Sequence, residues 1–409
     1  MAVKRLQCLE SRMAKDPSLK QNILRQIDEY QQKGYAHRAT AEELAETDPR
    51  RTWYLPLGAV TNSNKPGKVR LIWDASAKVD GISLNLVLLK GPDMVTPLCF
   101  VVFRFRQYTV AVSADVKEMF HQVRTRGADR SAQSFLFHDD PSEEPQVFRM
   151  DVATFGATCS PAIAQYVKNA NARSFEKELP RAVEGIVFNH YVDDYLDSFS
   201  TENKAKQVAS EVREIHKRGG FEIRNWCSNS PTVLQHLGES QQHPVKQMCL
   251  DEKEQSERVL GMRRDACACV SYLRVVNEDG EVEVALVSSK TKVVPLKPVT
   301  IPRLELQACV LGTRLAKYII DGHSYSIKKR VFWSDSSAAL SWIGADPHKY
   351  SPYIAYRVSE ILEATDRTEW RWVASKDNPA DEATKWGAGP YFNSNSIWYS
   401  GPEFLYILT

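Results

Sequence analysis

The chain has 409 residues, 43% of them hydrophobic and 25% charged, a composition that suits two or three folded domains and argues against a disordered or fibrous protein. Lys and Arg total 53 against 51 Asp and Glu, a formal net charge of +2, so recognition of nucleic acid would have to rest on local patches rather than on a global field. The longest apolar run stops at Arg104, well short of the roughly 18 residues of a membrane span, which argues against a membrane partner.

Met1-Ala2-Val3-Lys4-Arg5 has no apolar secretory segment, so an intracellular protein is expected, cytoplasmic or nuclear. Eight cysteines at irregular positions suit neither a disulfide framework nor a zinc site. Residues 1–50 read as helical. Ser18 opens a run with Ile23, Ile27 and Tyr30 at helical spacing, stopped by Gly34. Thr40-Ala41-Glu42-Glu43 has the form of a capping box. The turn cluster Asn62-Ser63-Asn64-Lys65-Pro66-Gly67 separates two apolar runs, so Tyr54 to Val60 and Val69 to Trp73 are expected to form a hairpin. Tyr108 to Ala114 reads as a strand ending at Asp115, and Val116 to Val123 changes to a helical period. Ser160-Pro161 opens a helix to about Phe175, with Pro where a missing N–H costs nothing. Between Gly185 and Ser200, the runs Ile186-Val187-Phe188 and Tyr195-Leu196 read as strands flanking Val192-Asp193-Asp194. Lys204 to His216 forms a helix ended by Gly219-Gly220, and 231–264 reads as a polar linker.

A second unit then begins. Ala266 to Val276 and Val282 to Ser288 alternate as strands about Asn277-Glu278-Asp279-Gly280, with Cys267 and Cys269 as small core residues. Pro302 opens a long helix to about Ile320. Lys329 to Trp333 is a strand ending at Asp335, Ala338 to Ile343 a helix, Trp370 to Ala374 a strand, and Asn378-Pro379 opens a last short helix.

Carboxylates at strand ends and in tight turns converge when their strands pair. An Asp-Asp doublet plus a third Asp can hold two Mg²⁺ ions about 4 Å apart, the arrangement that stabilises in-line phosphoryl transfer. Asp115 and Asp193-Asp194 are such a set. Alone, the doublet also fits a solvated turn, because Asp is a favoured turn residue.

The doublet has company. Lys68-Val69-Arg70-Leu71-Ile72-Trp73-Asp74, Leu84-Asn85, Ser113-Ala114-Asp115-Val116-Lys117-Glu118-Met119-Phe120, Phe155-Gly156-Ala157-Thr158-Cys159-Ser160-Pro161, Tyr191-Val192-Asp193-Asp194 and Gly220-Phe221 follow in one order. That succession resembles the fingers and palm of a reverse transcriptase. Trp73-Asp74-Ala75-Ser76-Ala77-Lys78 and Gly91-Pro92-Asp93 are similar to the Pao/BEL group of LTR retrotransposons. The resemblance implies that Asp115, Asp193 and Asp194 are catalytic and, with the Val116 main chain, ligate two Mg²⁺ ions, Mn²⁺ being a possible substitute. It also implies that Lys68 and Arg70 meet the nucleotide triphosphate, that Phe120 lies under the sugar and excludes a 2′-hydroxyl, and that Val192 touches the primer end. Phe155 stands where many retroviral enzymes have Gln, so at this motif only Gly156 is assigned to nucleotide binding, through close backbone approach.

The second unit resembles a ribonuclease H domain. Ile301-Pro302-Arg303-Leu304-Glu305-Leu306, Trp333-Ser334-Asp335-Ser336 and Asn378-Pro379-Ala380-Asp381 match segments that carry three of its acids, implying Glu305, Asp335 and Asp381. Alignment on Tyr272-Leu273-Arg274 puts Gly261 where the first acid belongs. Asp265, four residues away, would stand about 13 Å off along a strand, so an incomplete, inactive site is expected.

The implied class is α+β: reverse-transcriptase fingers and palm, the palm with an antiparallel sheet and helices, then an RNase H-like α/β domain. The boundaries are 1–50 helical segment, 51–230 fingers and palm, 231–264 linker with thumb and connection lost, 265–390 RNase H-like domain truncated at its start, and 391–409 tail. The implied function is RNA-directed DNA polymerisation with RNA template, DNA primer or duplex and dNTPs as partners. The resemblance implies an integrase further on, and none is expected within these residues. The alternatives are a non-catalytic remnant that binds nucleic acid and, less favoured, an aspartic peptidase. The strings nearest a peptidase motif, Asp74-Ala75-Ser76 and Asp335-Ser336-Ser337, lack its Gly.

Overall fold

The computed structural model describes residues 1–62, 65–138, 140, 142–238, 266–293, 299–384 and 396–407, with backbone alone at 62, 65–68, 266 and 293. The chain divides into two compact units, Met1–Val245 and Lys246–Thr409. Among the described residues no helix is long and apolar enough to cross a membrane.

In the first unit, the helices Ala2–Lys15 and Pro17–Gln32 are separated by Asp16, whose side chain accepts from the Leu19 N–H at 3.0 Å. This is an N-cap with Pro at the first turn. Their apolar stripe, including Leu6, Leu9, Leu19, Ile23 and Ile27, is buried in one core with Leu57, Leu71, Trp73, Phe135 and Met150. Gly34 ends the second helix at φ +66°. The Thr40 capping box forms as expected, with Thr40 N–H to Glu43 at 2.9 Å and Glu43 N–H to the Thr40 hydroxyl at 3.2 Å.

Strand β1 (Ala36–Arg38) is followed by the hairpin β2 (Leu57–Asn62) and β3 (Lys65–Trp73), and by β4 (Val110–Val116), β5 (Ser134–Phe137) and β6 (Gln146–Met150). Strands β1, β6 and β5 form an antiparallel sheet. Next come β7 (His190–Tyr191), β8 (Asp194–Phe199) and β9 (Ile223–Ser228), which join β4 in an antiparallel sheet ordered β7-β8-β4-β9. Val112, Ala114 and Val116 of β4 are buried in one core with residues of the helices Ser160–Arg173, Pro180–Phe188 and Glu202–Arg218. Alternation along a strand then turns Asp115 toward the opposite, open face.

Three local expectations are corrected. Ile186-Val187-Phe188 is the last turn of the helix Pro180–Phe188, not a strand. Ala182, Val183 and Ile186 are buried at helical spacing, and that packing outweighs the β preference of branched side chains. Val116 to Val123 holds only a 3₁₀ turn, Met119–Gln122, preceded by Glu118 at φ +48°. Residues 231–264, read as a linker, begin with the helix Pro231–His236, whose Val233 is buried in one core with Val112 and Ala114 of β4.

In the second unit, β10 (Ala266–Val276) and β11 (Val282–Val293) pair antiparallel, with an irregularity at Ser271/Tyr272. The helix Ile301–Gly322 follows, then β12 (Phe332–Ser334), the helices Ser337–Gly344 and Pro352–Ala364, and β13 (Trp370–Trp372), parallel to β12. The helix Pro352–Ala364 had no counterpart in the sequence reading. Its Ile354, Val358 and Ile361 bury against Leu306, Val310 and Ile343. Residues 396–407 of the expected tail pack on β10: the Tyr272 hydroxyl donates to the Trp398 carbonyl at 2.8 Å and Arg274 to the Leu405 carbonyl at 2.6 Å.

Candidate active site

Asp115 of β4 is the register partner of Asp194 on β8. The Val116 N–H donates to the Asp193 carbonyl at 2.8 Å, which makes 115–194 a non-hydrogen-bonded pair, with Cα atoms about 4.5 Å apart and side chains on one face. Asp193 occupies the two-residue turn between β7 and β8, where Tyr191 pairs with Asp194. The strand register therefore sets Asp115 opposite Asp194, with Asp193 in the adjoining turn.

The turn is strained. Val192, a β-branched residue, sits at φ +57°, a left-handed conformation that costs about 1–3 kcal/mol and persists only where its surroundings hold it. Gln165, buried in the helix Ser160–Arg173, donates to the Val192 carbonyl at 3.0 Å. Together with the Val116 bond, this anchors two successive carbonyls of the turn. Sequence reasoning missed Gln165 because its role depends on where helix and turn meet.

Electrostatics give the acids their chemistry. Partial burial at its base, then the charges of Asp193 and Asp115, push the Asp194 carboxyl above its ordinary range. Such a cluster favours a cation, and three carboxylates are the hard oxygen donors that Mg²⁺ prefers. Their residue types and strand positions fit such ions. Among the described residues, however, no group of three or more His, Cys, Asp and Glu is gathered to hold a metal ion. The Asp115 carboxylate is engaged instead on both oxygens, by Arg224 Nε to Oδ2 at 3.3 Å and by Asn225 Nδ2 to Oδ1. Neither β9 residue was singled out from sequence.

The nucleotide-binding candidates fall into two sets. Arg70 on β3 lies over the Phe155 ring at 5.8 Å, and Phe155 meets Phe120 edge-to-face at 4.9 Å. Phe155 thus joins Arg70 to Phe120, a connection invisible when the position was read only as a missing Gln. Lys68 lies on β3, but its side chain is outside the described residues. Gly156, at φ +111°, makes its close approach to the finger hairpin: a Cβ there would stand 2.0 Å from the Trp73 carbonyl oxygen. Asn85 fastens the same junction, donating to the Gly156 carbonyl at 2.9 Å and accepting from the Thr158 N–H at 2.8 Å.

In the second unit, Glu305 and Asp335 both act on the buried Cys309 thiol, which burial first and then these charges raise to about 12. Asp381 lies in the 3₁₀ turn Pro379–Ala383 and accepts from Asn378 Nδ2 at 3.3 Å. Gly261 and Asp265, on which the expected incompleteness turns, lie outside the described residues.

Residues 89–232 match the reverse transcriptase (RNA-dependent DNA polymerase) family, and residues 240–336 match the Pao retrotransposon-like RNaseH-like domain. No curated protein matches the chain. Among solved structures, a foamy viral protease-reverse transcriptase in complex with double-stranded DNA superposes with a TM-score of 0.51 at 13% identity. The match covers 88% of this chain and 69% of that one. The chain is α+β, a reverse-transcriptase domain followed by an RNase H-like one, and the first domain marks an RNA-directed DNA polymerase, a nucleotidyltransferase.

Proposed function

We propose that this chain, a reverse-transcriptase domain joined to a Pao-type RNase H-like domain, copies retrotransposon RNA into DNA through Asp115, Asp193 and Asp194. The observation that carries the reading is the Asp115–Asp194 register across β4 and β8, with Asp193 in the adjoining turn. Two divalent ions, Mg²⁺ or in its place Mn²⁺, would supply activation of the primer 3′-hydroxyl and stabilisation of the leaving pyrophosphate. The three acids, with the Val116 carbonyl, would hold these ions. Gln165 keeps the turn at the height of the primer end.

Arg70 offers a bidentate fork to the triphosphate, assisted by Lys68. Phe120 lies under the deoxyribose, and its ring leaves no room for a 2′-hydroxyl. Phe155 braces Phe120 and Arg70, and Gly156 fixes the wall behind them. The partners are an RNA template, a DNA primer or duplex and dNTPs, held in a salt-dependent way through phosphate contacts. The working place is a cytoplasmic retrotransposon particle or the nucleus.

The second domain, with Glu305, Asp335 and Asp381 but no first acid, does not cleave an RNA–DNA hybrid. Loss of thumb and connection between the domains makes each extension short. Primer extension on an RNA template with Mg²⁺ tests the reading. Incorporation that Asp193→Asn abolishes supports it. Template binding with no incorporation by the wild-type chain would favour a non-catalytic remnant.

A further inference from the structure

The edge strand β9 does something unusual beside Asp115. Asp115 pairs with Arg224 and Ser113 with Cys227, so two residues, Asn225 and Trp226, stand opposite Ala114 alone. This is a β-bulge, a device that re-aims side chains at the ends of sheets. Asn225 takes the left-handed conformation at φ +52°, which Asn tolerates better than most residues. The bulge lets two successive β9 residues reach the same carboxylate. Arg224 brings a positive charge to Oδ2 at 3.3 Å, and Asn225 brings an N–H donor to Oδ1. Trp226, the other bulge residue, is buried in the palm core with Arg213 over its ring at 5.4 Å, which anchors the bulge from behind.

We propose that Arg224 and Asn225 form a latch that holds the Asp115 carboxylate away from a divalent ion until the ion displaces them. The inference rests on the polymerase reading and adds to it two positioning residues that act through Asp115. The latch supplies the charge neutralisation and hydrogen bonding that a bare carboxylate beside Asp194 would otherwise lack. A bulge on an edge strand can yield without unpairing β4 from β8. Arg224 is half exposed, 45% by side chain, and Asp115 is 27% exposed, so water can take over both partners when they separate.

The test is a Mn²⁺ titration of the full chain, free of nucleic acid, read by electron paramagnetic resonance. The proteins are wild type, Arg224→Ala, Asn225→Gly, which keeps the positive φ, and Arg224→Lys. Each of the first two variants should bind Mn²⁺ about two- to fivefold more tightly, the scale of one partly exposed ion pair. Arg224→Lys should return toward wild type, and the gain should vanish in an Asp115→Asn background. Unchanged or weaker binding in both variants overturns the latch while leaving the metal site in place. If no protein binds Mn²⁺ above an Asp193→Asn, Asp194→Asn double variant, the metal reading itself falls, and the latch with it.

Discussion

Asp115 and Asp194 face each other across β4 and β8 as a directly opposed pair, and the Val116 N–H locks that register onto the Asp193 carbonyl at 2.8 Å. A one-residue slip of β8 would send Asp194 to the helix-covered face, exchanging it for Tyr195, which is wholly buried. The same apolar packing that fixes the sheet therefore fixes the acids.

Opposed like charges cost stability when nothing neutralises them. Asp194, held above its ordinary range by partial burial and by Asp193 and Asp115, is the clearest case. Asp194→Asn should raise the melting temperature in the absence of divalent ions. It should also lower nucleotide incorporation by about a hundredfold or more, since metal charge stabilisation supplies several kcal/mol. Thermal melts in EDTA and single-nucleotide kinetics measure the two effects on one protein.

Gly156 makes a structural prediction that does not depend on the chemistry. A Cβ at this residue would lie 2.0 Å from the Trp73 carbonyl oxygen, with φ at +111°. The oxygen belongs to backbone and cannot swing aside. Gly156→Ala should destabilise the first unit by about 3 kcal/mol or more, the combined scale of overpacking and backbone strain. Urea unfolding reports the loss directly.

Four buried bases set the pH response: Lys168, His190 and His216, which lie near one another, and His121, which packs against Tyr30, Tyr35 and Phe155. Lys168 is buried, its Nζ donating to the Ile186 carbonyl at 2.7 Å, and burial lowers it to about 7. Burial likewise lowers His121 and His216 to about 4 and drives His190 well down. For a base depressed on folding, the unfolded chain binds the extra proton between the two pKa values, so stability rises with pH across that interval. The histidines make the protein lose stability as pH falls from 6.5 toward 4. Lys168 makes it gain from 7 toward 10.5, at about 1.4 kcal/mol per pH unit inside the window. Lys168→Met should remove the alkaline gain and leave the acid loss, as urea midpoints at pH 5, 7 and 9 would record.

Much of this was legible from the chain alone, and for a physical reason. Asp193-Asp194 and the Thr40 box depend on residues adjacent in sequence, and helices such as Pro17–Gln32 announce themselves by apolar spacing and a terminal Gly. What escaped depends on tertiary meeting points. Gln165 gains its role only when its helix reaches the turn, and Arg224 and Asn225 only when a bulge aims them at Asp115. Ile186-Val187-Phe188 carries a local β signal that the burial of Ala182, Val183 and Ile186 on one helical face overrides. Phe155 was read as the absence of a polar contact, whereas its ring lies between Arg70 and Phe120.

The most direct measurement is anomalous diffraction from crystals soaked with Mn²⁺ and a dNTP on a primed RNA template. The account predicts two anomalous peaks about 4 Å apart between Asp115 and Asp194, with Asp115 swung away from Arg224. Peaks placed elsewhere, or a primed complex that extends its primer with neither ion touching Asp115, would contradict it.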